Sequence, residues 1–290
     1  MNQLNISIGN EIKRIRQERN WTQAELCQGI CSQAEISKIE NGRNSPTVDL
    51  LQQLAERLEI PVSFLLENRK QQESVKKIDH TLLQLTREGN YKQILSYDIT
   101  TGDRFDETTL LLEYYRIISE YRINNYDYRT TSVQLYRLIE HNDIKYNYPD
   151  LYLRAKMAIA ILYAENQEYR QAEKLYKELE ETHFEFSNEK VIEQQLKIIY
   201  NHAKLLFKMG NFEESLTTAL KGIHSSVLLS NASYIAHLYY QKGEVLEALN
   251  GDGEETSQSY VIAYELFKAF HMTRYANTVK EVKRKFLFTE

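Results

Sequence analysis

Apolar residues recur along the chain at steps of three and four, the spacing of one face of an α-helix. Over residues 7–19, Ile8, Ile12 and Ile15 share such a face. Thr22 begins a second helix, and Thr22 with Glu25 makes a capping-box pattern, in which each side chain satisfies a backbone N–H left free at the helix start. Ser32 with Glu35 repeats the pattern at the start of a third helix, and only a few residues around Gly29 and Ile30 separate the two helices. Gly42, Asn44 and Pro46 end the third helix. A fourth spans about 47–58 with Leu50, Leu51, Leu54 and Leu58 toward the core, and Pro61 opens a short fifth carrying Phe64 and Leu65.

From Gln71 the pattern narrows. Val75, Ile78, Leu82 and Leu85 step by 3, 4 and 3, a seam about one heptad long that ends at Gly89-Asn90. It can pack on the body of the chain or against a second subunit. Beyond it a turn followed by an aromatic recurs: Gly89-Asn90-Tyr91, Asp127-Tyr128, Gln167-Glu168-Tyr169 and Gly210-Asn211-Phe212, with a weaker fifth turn at Asn250-Gly251-Asp252-Gly253. The aromatics lie 37, 41 and 43 residues apart. Three positions after the aromatic stands a small residue, Thr131, Ala172 or Ser215, whereas Ile94 breaks the rule. Each unit reads as helix, tight turn, helix, with the small residue allowing a close helix approach. About five such pairs fit residues 72–288, the last carrying Leu266, Phe270, Val279, Val282 and Phe286. They resemble tetratricopeptide repeats, with an excess over the usual ~34-residue period that longer helices or the stretches Thr100–Asp106 and Thr182–Asn188 would supply.

Composition supports an all-α reading. In 290 residues there are only 10 Gly and 3 Pro, too few for the many tight turns of an all-β fold. The expected organisation is a helix-turn-helix domain over 1–68, a linker helix over 69–88 and a superhelical repeat domain over 89–290. The net charge of −5 is uneven: residues 1–70 hold nine Lys/Arg and nine Asp/Glu, so the remainder, with 27 against 32, carries all of it. A nucleic-acid contact must therefore come from a local patch, and Lys13, Arg14, Arg16 and Arg19 form one candidate. Two cysteines, Cys27 and Cys31, cannot build a disulfide framework, and without a nearby His pair they make no zinc site. Both read as core packing. The N-terminus lacks the apolar run of a signal peptide. The stretch Ser225 to Gln241, free of Lys, Arg, Asp and Glu, is too polar for a membrane span. A cytoplasmic protein without cofactor or metal is expected.

Two short capped helices with a tight turn make a helix-turn-helix, whose second helix can enter the DNA major groove. The string WTQAELCQGICSQAEISKIENGRNSP resembles the phage-repressor type of this motif, with a turn that reads one residue short. On the third helix, Gln33 can pair with adenine, Ala34 can touch a thymine methyl, and Glu35 can accept from cytosine, besides its capping role. Ser32 starts that helix. Gln23 is placed to bind phosphate, and Ser37, Lys38, Asn41 and Arg43 to hold the backbone or the groove wall.

Stacked helix pairs build a concave surface lined by the first helix of each pair. An Asn or Gln there can hold a peptide backbone through both ends of its amide. Asn201 in IIYNHAKLLF and Gln241 in HLYYQKGEVL are the candidates, with Tyr163, Tyr200, Lys204, Tyr239, Tyr240 and Lys242 around them. Asn201 is informative because Asn is a poor helix former and costly near a core.

The strings EIKRIRQERNWTQAEL, YAENQEY, YNHAKLLFKMGNFEESL and LYYQKGEVLEAL resemble the PlcR-type peptide-pheromone-responsive regulators of Gram-positive bacteria over nearly the whole chain. The resemblance implies a homodimer on a palindromic operator in double-stranded DNA, and a short re-imported signalling peptide in the repeat groove, as in quorum sensing. It implies that Asn201 holds peptide backbone, and that Ile161 stands where the PlcR type tends to have another Asn. That replacement points to a different peptide, a different hold on it, or a constitutive regulator without peptide control. The repeat half alone also fits a protein-binding scaffold. An enzyme is not expected: there is no Gly-rich phosphate loop, no G-x-S-x-G and no H-E-x-x-H.

Overall fold

The computed structural model describes residues 3–60, 62, 65, 69–97, 107–124, 126–140, 142–182, 189–251 and 253–287. Among them the regular structure is entirely helical, and the chain divides into two compact units, residues 1–89 and 90–290.

In the first unit α1 (Gln3–Glu18) starts four residues before the expected Ser7. It is followed by α2 (Gln23–Cys27), α3 (Gln33–Glu40) and α4 (Val48–Arg57). Thr22 and Glu25 form the full capping box. Ser32 accepts from the Glu35 N–H at 3.2 Å. The Glu35 carboxylate makes no return bond among the described residues, so this second cap is half a box. Thr47 caps α4 in the same way, at 3.2 Å from the Leu50 N–H. The expected apolar faces meet in one core of Ile8, Ile12, Ile15, Leu26, Ile36, Ile39, Leu51, Leu54, Leu58 and Leu65. Each such side chain, fully buried, contributes about 1.5–3 kcal/mol against the entropy of ordering the chain. Leu50 packs at its margin, and Cys27 and Cys31 join it. Pro61 and Phe64 lie outside the described residues.

Gly9 sets how closely α1 and α3 approach. A Cβ built there would stand 1.9 Å from the Ile39 carbonyl oxygen, so only glycine fits. The linker helix is α5 (Arg69–Glu88), whose seam residues Val75, Leu82 and Leu85 are buried.

The second unit opens with the five-residue α6 (Tyr91–Leu95), too short to complete a repeat; its Ile94, the exception to the small-residue rule, is buried. Full pairs follow: α7 (Glu107–Asn124) with α8 (Tyr128–Ile139), α10 (Pro149–Glu165) with α11 (Tyr169–Glu180), α12 (Glu189–Lys208) with α13 (Phe212–Leu228), and α14 (Ile235–Asn250) with α15 (Glu254–Ala269). The shorter α16 (Thr273–Val282) and α17 (Arg284–Leu287) close the stack. Successive pairs pack on one another, and the first helices α10, α12 and α14 touch directly.

The small residues Thr131, Ala172 and Ser215 are all fully buried where the second helix of a pair meets the first. Ser215 also donates to the Ala203 carbonyl at 2.7 Å, tying α13 to α12. Helices of 17 to 20 residues account for part of the long period. Of the two stretches expected to lengthen it, all but Thr182 fall outside the described residues. A helix that periodicity did not predict, α9 (Asn142–Asn147), lies between the second-unit pairs and is anchored by buried Ile144. In the closing segment Val279 and Phe286 are buried, but Phe270 and Val282 are 44% and 61% exposed. Both sit at the C-terminal ends of their helices.

Candidate functional site

The helix-turn-helix is held by a buried ion pair. Arg16 of α1 donates from Nε and Nη2 to the two carboxylate oxygens of Glu40 on α3, at 2.6 and 2.9 Å, and from Nη1 to the Trp21 carbonyl at 2.6 Å. The Gln23 amide donates to the same Glu40 carboxylate at 2.8 Å. The bond to Glu40 raises the Arg16 pKa against the effect of burial. One carboxylate thus gathers α1, α2 and α3. Both charges are nearly buried, so each depends on the other for solvation.

This corrects the expected basic patch. Arg16 is internal, Arg14 is bonded to Glu11 and Glu18, and Arg19 pairs with Glu59 and lies over the Trp21 ring. Gln23 is likewise bound inward through its amide nitrogen. The signal in the sequence is spacing: Arg16 lies one turn after Ile12 and Glu40 one turn after Ile36, so both charges fall on apolar helix faces.

The α2–α3 turn runs through Gly29 at φ +75°, with open space around its Cβ position, so the glycine serves the backbone conformation. Arg57 of α4 braces this turn by donating to the Gln28 carbonyl at 2.8 Å and the Glu25 carbonyl at 3.3 Å. Beyond it Ser32, Gln33, Ala34, Lys38, Asn41 and Arg43 are exposed, with Glu35 and Ser37 half-buried. Ala34, Ser37, Lys38 and Asn41 share the side of α3 opposite Ile36 and Ile39, with Gln33 and Glu35 at its two edges. The Asn41 amide is committed to the Ser37 carbonyl at 2.7 Å, closing the helix end. Burial, together with Glu35 and Cys27, pushes the Cys31 thiol up, so it stays protonated at neutral pH.

In the second unit a face forms where α12, α14 and α16 meet. Lys197, Tyr200, Asn201 and Lys204 share one side of α12 at steps of three and four. The Tyr200 ring lies 5.4 Å from His237 of α14 and 5.9 Å from Tyr234, and His237 lies 4.8 Å from Tyr275 of α16. Burial pushes Tyr200 up to about 12, with Tyr275 and Glu244 adding to it. Burial, then Lys197 and Lys204, lower His237 to about 4, so its imidazole is neutral. The Asn201 amide donates to Met157 Sδ of α10 at 3.5 Å, a weak acceptor that a peptide carbonyl can displace. Gln241, one turn after His237, is buried, and its amide nitrogen has no hydrogen-bond partner among the described residues.

The remaining candidates are placed elsewhere. Ile161 and Tyr163 are two residues apart on α10, so they face opposite sides. Ile161 lies on the Met157 side, whereas Tyr163 packs edge-on against Tyr128 of α8 at 6.0 Å. Tyr239 turns away from His237 for the same reason and packs on the closing core of Ala263, Phe267, Ala276 and Val279. Lys242 pairs with Glu255 at 2.9 Å, and Tyr240 donates to Glu244 at 3.2 Å. Lys197, His237 and Tyr275 escaped sequence reasoning. Two of these carried a signal: Lys197 lies one turn before Asn201, and His237 one turn before Gln241.

The RNPP family C-terminal domain matches residues 79–288, and a helix-turn-helix family matches residues 12–65. The chain belongs to the RNPP family. Bacillus thuringiensis PlcR, in a crystal structure in complex with the peptide PapR7 and DNA, is 28% identical, with a TM-score of 0.67 over 94% of this chain and 99% of that one. The apo form of the same protein is 27% identical, with a TM-score of 0.60 over 96% and 99%. The Streptococcus thermophilus ComR complex with DNA and its signalling peptide ComS shares the fold at 15% identity, with a TM-score of 0.59 over 97% and 100%. No curated protein matches the chain. As an RNPP member it combines a helix-turn-helix with a helical-repeat domain, and among the described residues no helix is long and apolar enough to cross a membrane.

Proposed function

We propose that this RNPP protein is a DNA-binding transcription regulator controlled by a short signalling peptide. The observation that carries the reading is the pairing, in one chain, of an open polar α3 face on a capped helix-turn-helix with a repeat face centred on Asn201. The likeness to PlcR bound to peptide and DNA supports it. Gln33, Ala34 and Glu35 read base edges, since they stand at the exposed start of α3. Ser32, Ser37, Lys38 and Arg43 hold phosphates beside them, with Asn41 closing the helix and Gln23 positioning α2. The half-made cap leaves the Glu35 carboxylate for cytosine.

In the repeat domain Asn201 exchanges its weak sulfur contact for the peptide backbone. Gln241 supplies an N–H that lacks an acceptor, Tyr200 and His237 give the aromatic wall, and Lys197 and Lys204 give the positive one. Ile161 contributes an apolar contact where a second amide could have stood. The protein acts as a cytoplasmic homodimer on a palindromic operator, not as an enzyme. Peptide binding favours one arrangement of the dimer, and that arrangement spaces the two α3 helices by about one DNA turn or a multiple of it.

The test is anisotropy titration of promoter fragments at several salt concentrations. Log affinity is expected to fall linearly with log salt, with a slope of about −0.9 per phosphate contacted. Gln33→Ala is expected to lower discrimination between operator variants by about 1–3 kcal/mol at one position. A salt-independent affinity, or unchanged discrimination across all variants, contradicts the assignment.

A further inference from the structure

On the side of α10 away from Ile161 and Met157, a cleft of 810 Å³ opens between α8, α9 and α10. Its volume lies within the usual range of small-molecule sites. Three tyrosine rings line it, one from each helix: Tyr136, Tyr146 and Tyr152. So do three cations, Arg137, Lys145 and Lys156, against the carboxylate of Glu140 and that of Glu178, which pairs with Lys156. This is a local excess of positive charge in a chain whose net charge is −5.

The cations stand beside the rings. Lys156 lies 5.4 Å from the Tyr152 centroid, and Lys145 5.8 Å from that of Tyr146. Lys156 is held by Glu178 at 3.4 Å, but Arg137 and Lys145 have no carboxylate partner among the described residues. Apolar surface is also left uncovered: Val133 is 48% and Tyr146 75% exposed at the rim. Exposed rings beside cations without a carboxylate partner offer stacking and charge-assisted hydrogen bonding in one place. The wall that makes the cleft is α9, the helix inserted outside the repeat pattern. Its one buried anchor, Ile144, leaves the neighbouring Lys145 and Tyr146 to face the cleft.

We propose that this cleft binds a small aromatic anion, a flat ring bearing a carboxylate or a phosphate, at a site separate from the peptide face. The ring lies among Tyr136, Tyr146 and Tyr152, and the anion meets Arg137 and Lys145. Because α10 carries the cleft on one side and Met157, the partner of Asn201, on the other, the two sites share one helix.

The experiment is calorimetry of the full chain with phenyl phosphate and with 4-hydroxybenzoate. Inorganic phosphate serves as a charge without a ring and benzyl alcohol as a ring without a charge. At least one aryl anion is expected to bind with Kd below about 1 mM, and both controls about tenfold more weakly or worse. The double substitution Arg137→Gln with Lys145→Gln is expected to weaken the aryl anion by about tenfold or more, with the thermal unfolding midpoint unchanged. Tyr146→Ala, at an exposed position that the fold does not need, is expected to weaken it as well. No binding by either aryl anion, equal binding by either control, or unchanged affinity in both variants overturns the proposal. None of these results bears on the peptide or DNA assignments, which use other residues.

Discussion

Arg16 and Glu40 are two charges taken out of water, and each is tolerable only because the other is there. Removing Glu40 leaves the Arg16 charge uncompensated and frees the Gln23 amide, and removing Arg16 leaves the Glu40 charge uncompensated and frees the Trp21 carbonyl. Glu40→Ala is therefore expected to destabilise the first unit by about 3–5 kcal/mol, read by urea unfolding followed through Trp21 fluorescence. A loss below about 1 kcal/mol would mean that the pair behaves as a surface bridge. His237 makes the opposite choice and stays neutral. Its folded pKa of about 4 lies below the ordinary 6.5, so the unfolded chain binds the extra proton first as pH falls. Its contribution is fully present above pH 6.5 and is lost between 6.5 and about 4, to a total of about 3 kcal/mol. Glu180 and Glu247 are held below the usual carboxylate range: their bonds, to His202 and Lys221 and to Lys283 and Tyr260, outweigh burial, so their losses fall at lower pH. In the His237→Gln variant the fall in stability from pH 6.5 to 5 is expected to flatten, as measured by urea midpoints. An unchanged slope would remove His237 as its source.

At the scale of the elements, close approaches decide the geometry. Gly9 lets α1 lie against the end of α3, so Gly9→Ala gains about 1 kcal/mol of helix propensity but forces the two helices apart. The net expectation is a destabilisation of about 1–3 kcal/mol and weaker operator binding, because the base-reading helix is displaced. Calorimetric melting with the anisotropy titration checks both, and a more stable variant would show that α3 has room to move. Much of this was legible in the chain. The caps at Thr22 and Ser32, the apolar steps of α1 and α4, and the small residues Thr131, Ala172 and Ser215 all follow from local rules of helix geometry. The failures came where local pattern and tertiary context part. Helix α9 has no repeat period to announce it. Arg16 and Arg19 read as part of a patch because their partners Glu40 and Glu59 are distant in sequence. Tyr163 and Tyr239 were grouped with groove residues by nearness in the string, whereas a helix turns residues two apart to opposite sides. His237 and Tyr275 reach Tyr200 only through the stacking of α12, α14 and α16.

On the scale of the whole molecule, the proposed function divides two tasks within one chain: reading DNA with Gln33, Ala34 and Glu35 on the α3 face, and sensing peptide with the repeat face around Asn201. The separation predicts that a lesion in one leaves the other standing: Asn201→Ala keeps the DNA affinity of the free protein, and Gln33→Ala keeps peptide affinity. The most direct measurement is calorimetry of the full chain against the short C-terminal fragments of secreted peptides encoded in its own genome, repeated with Asn201→Ala. The account predicts that one fragment binds with a Kd of about 1 μM or tighter and that Asn201→Ala weakens it by about tenfold, the worth of a hydrogen-bonded amide pair. Binding of that fragment with equal affinity by both proteins, or binding by no fragment while operator binding is intact, would contradict it.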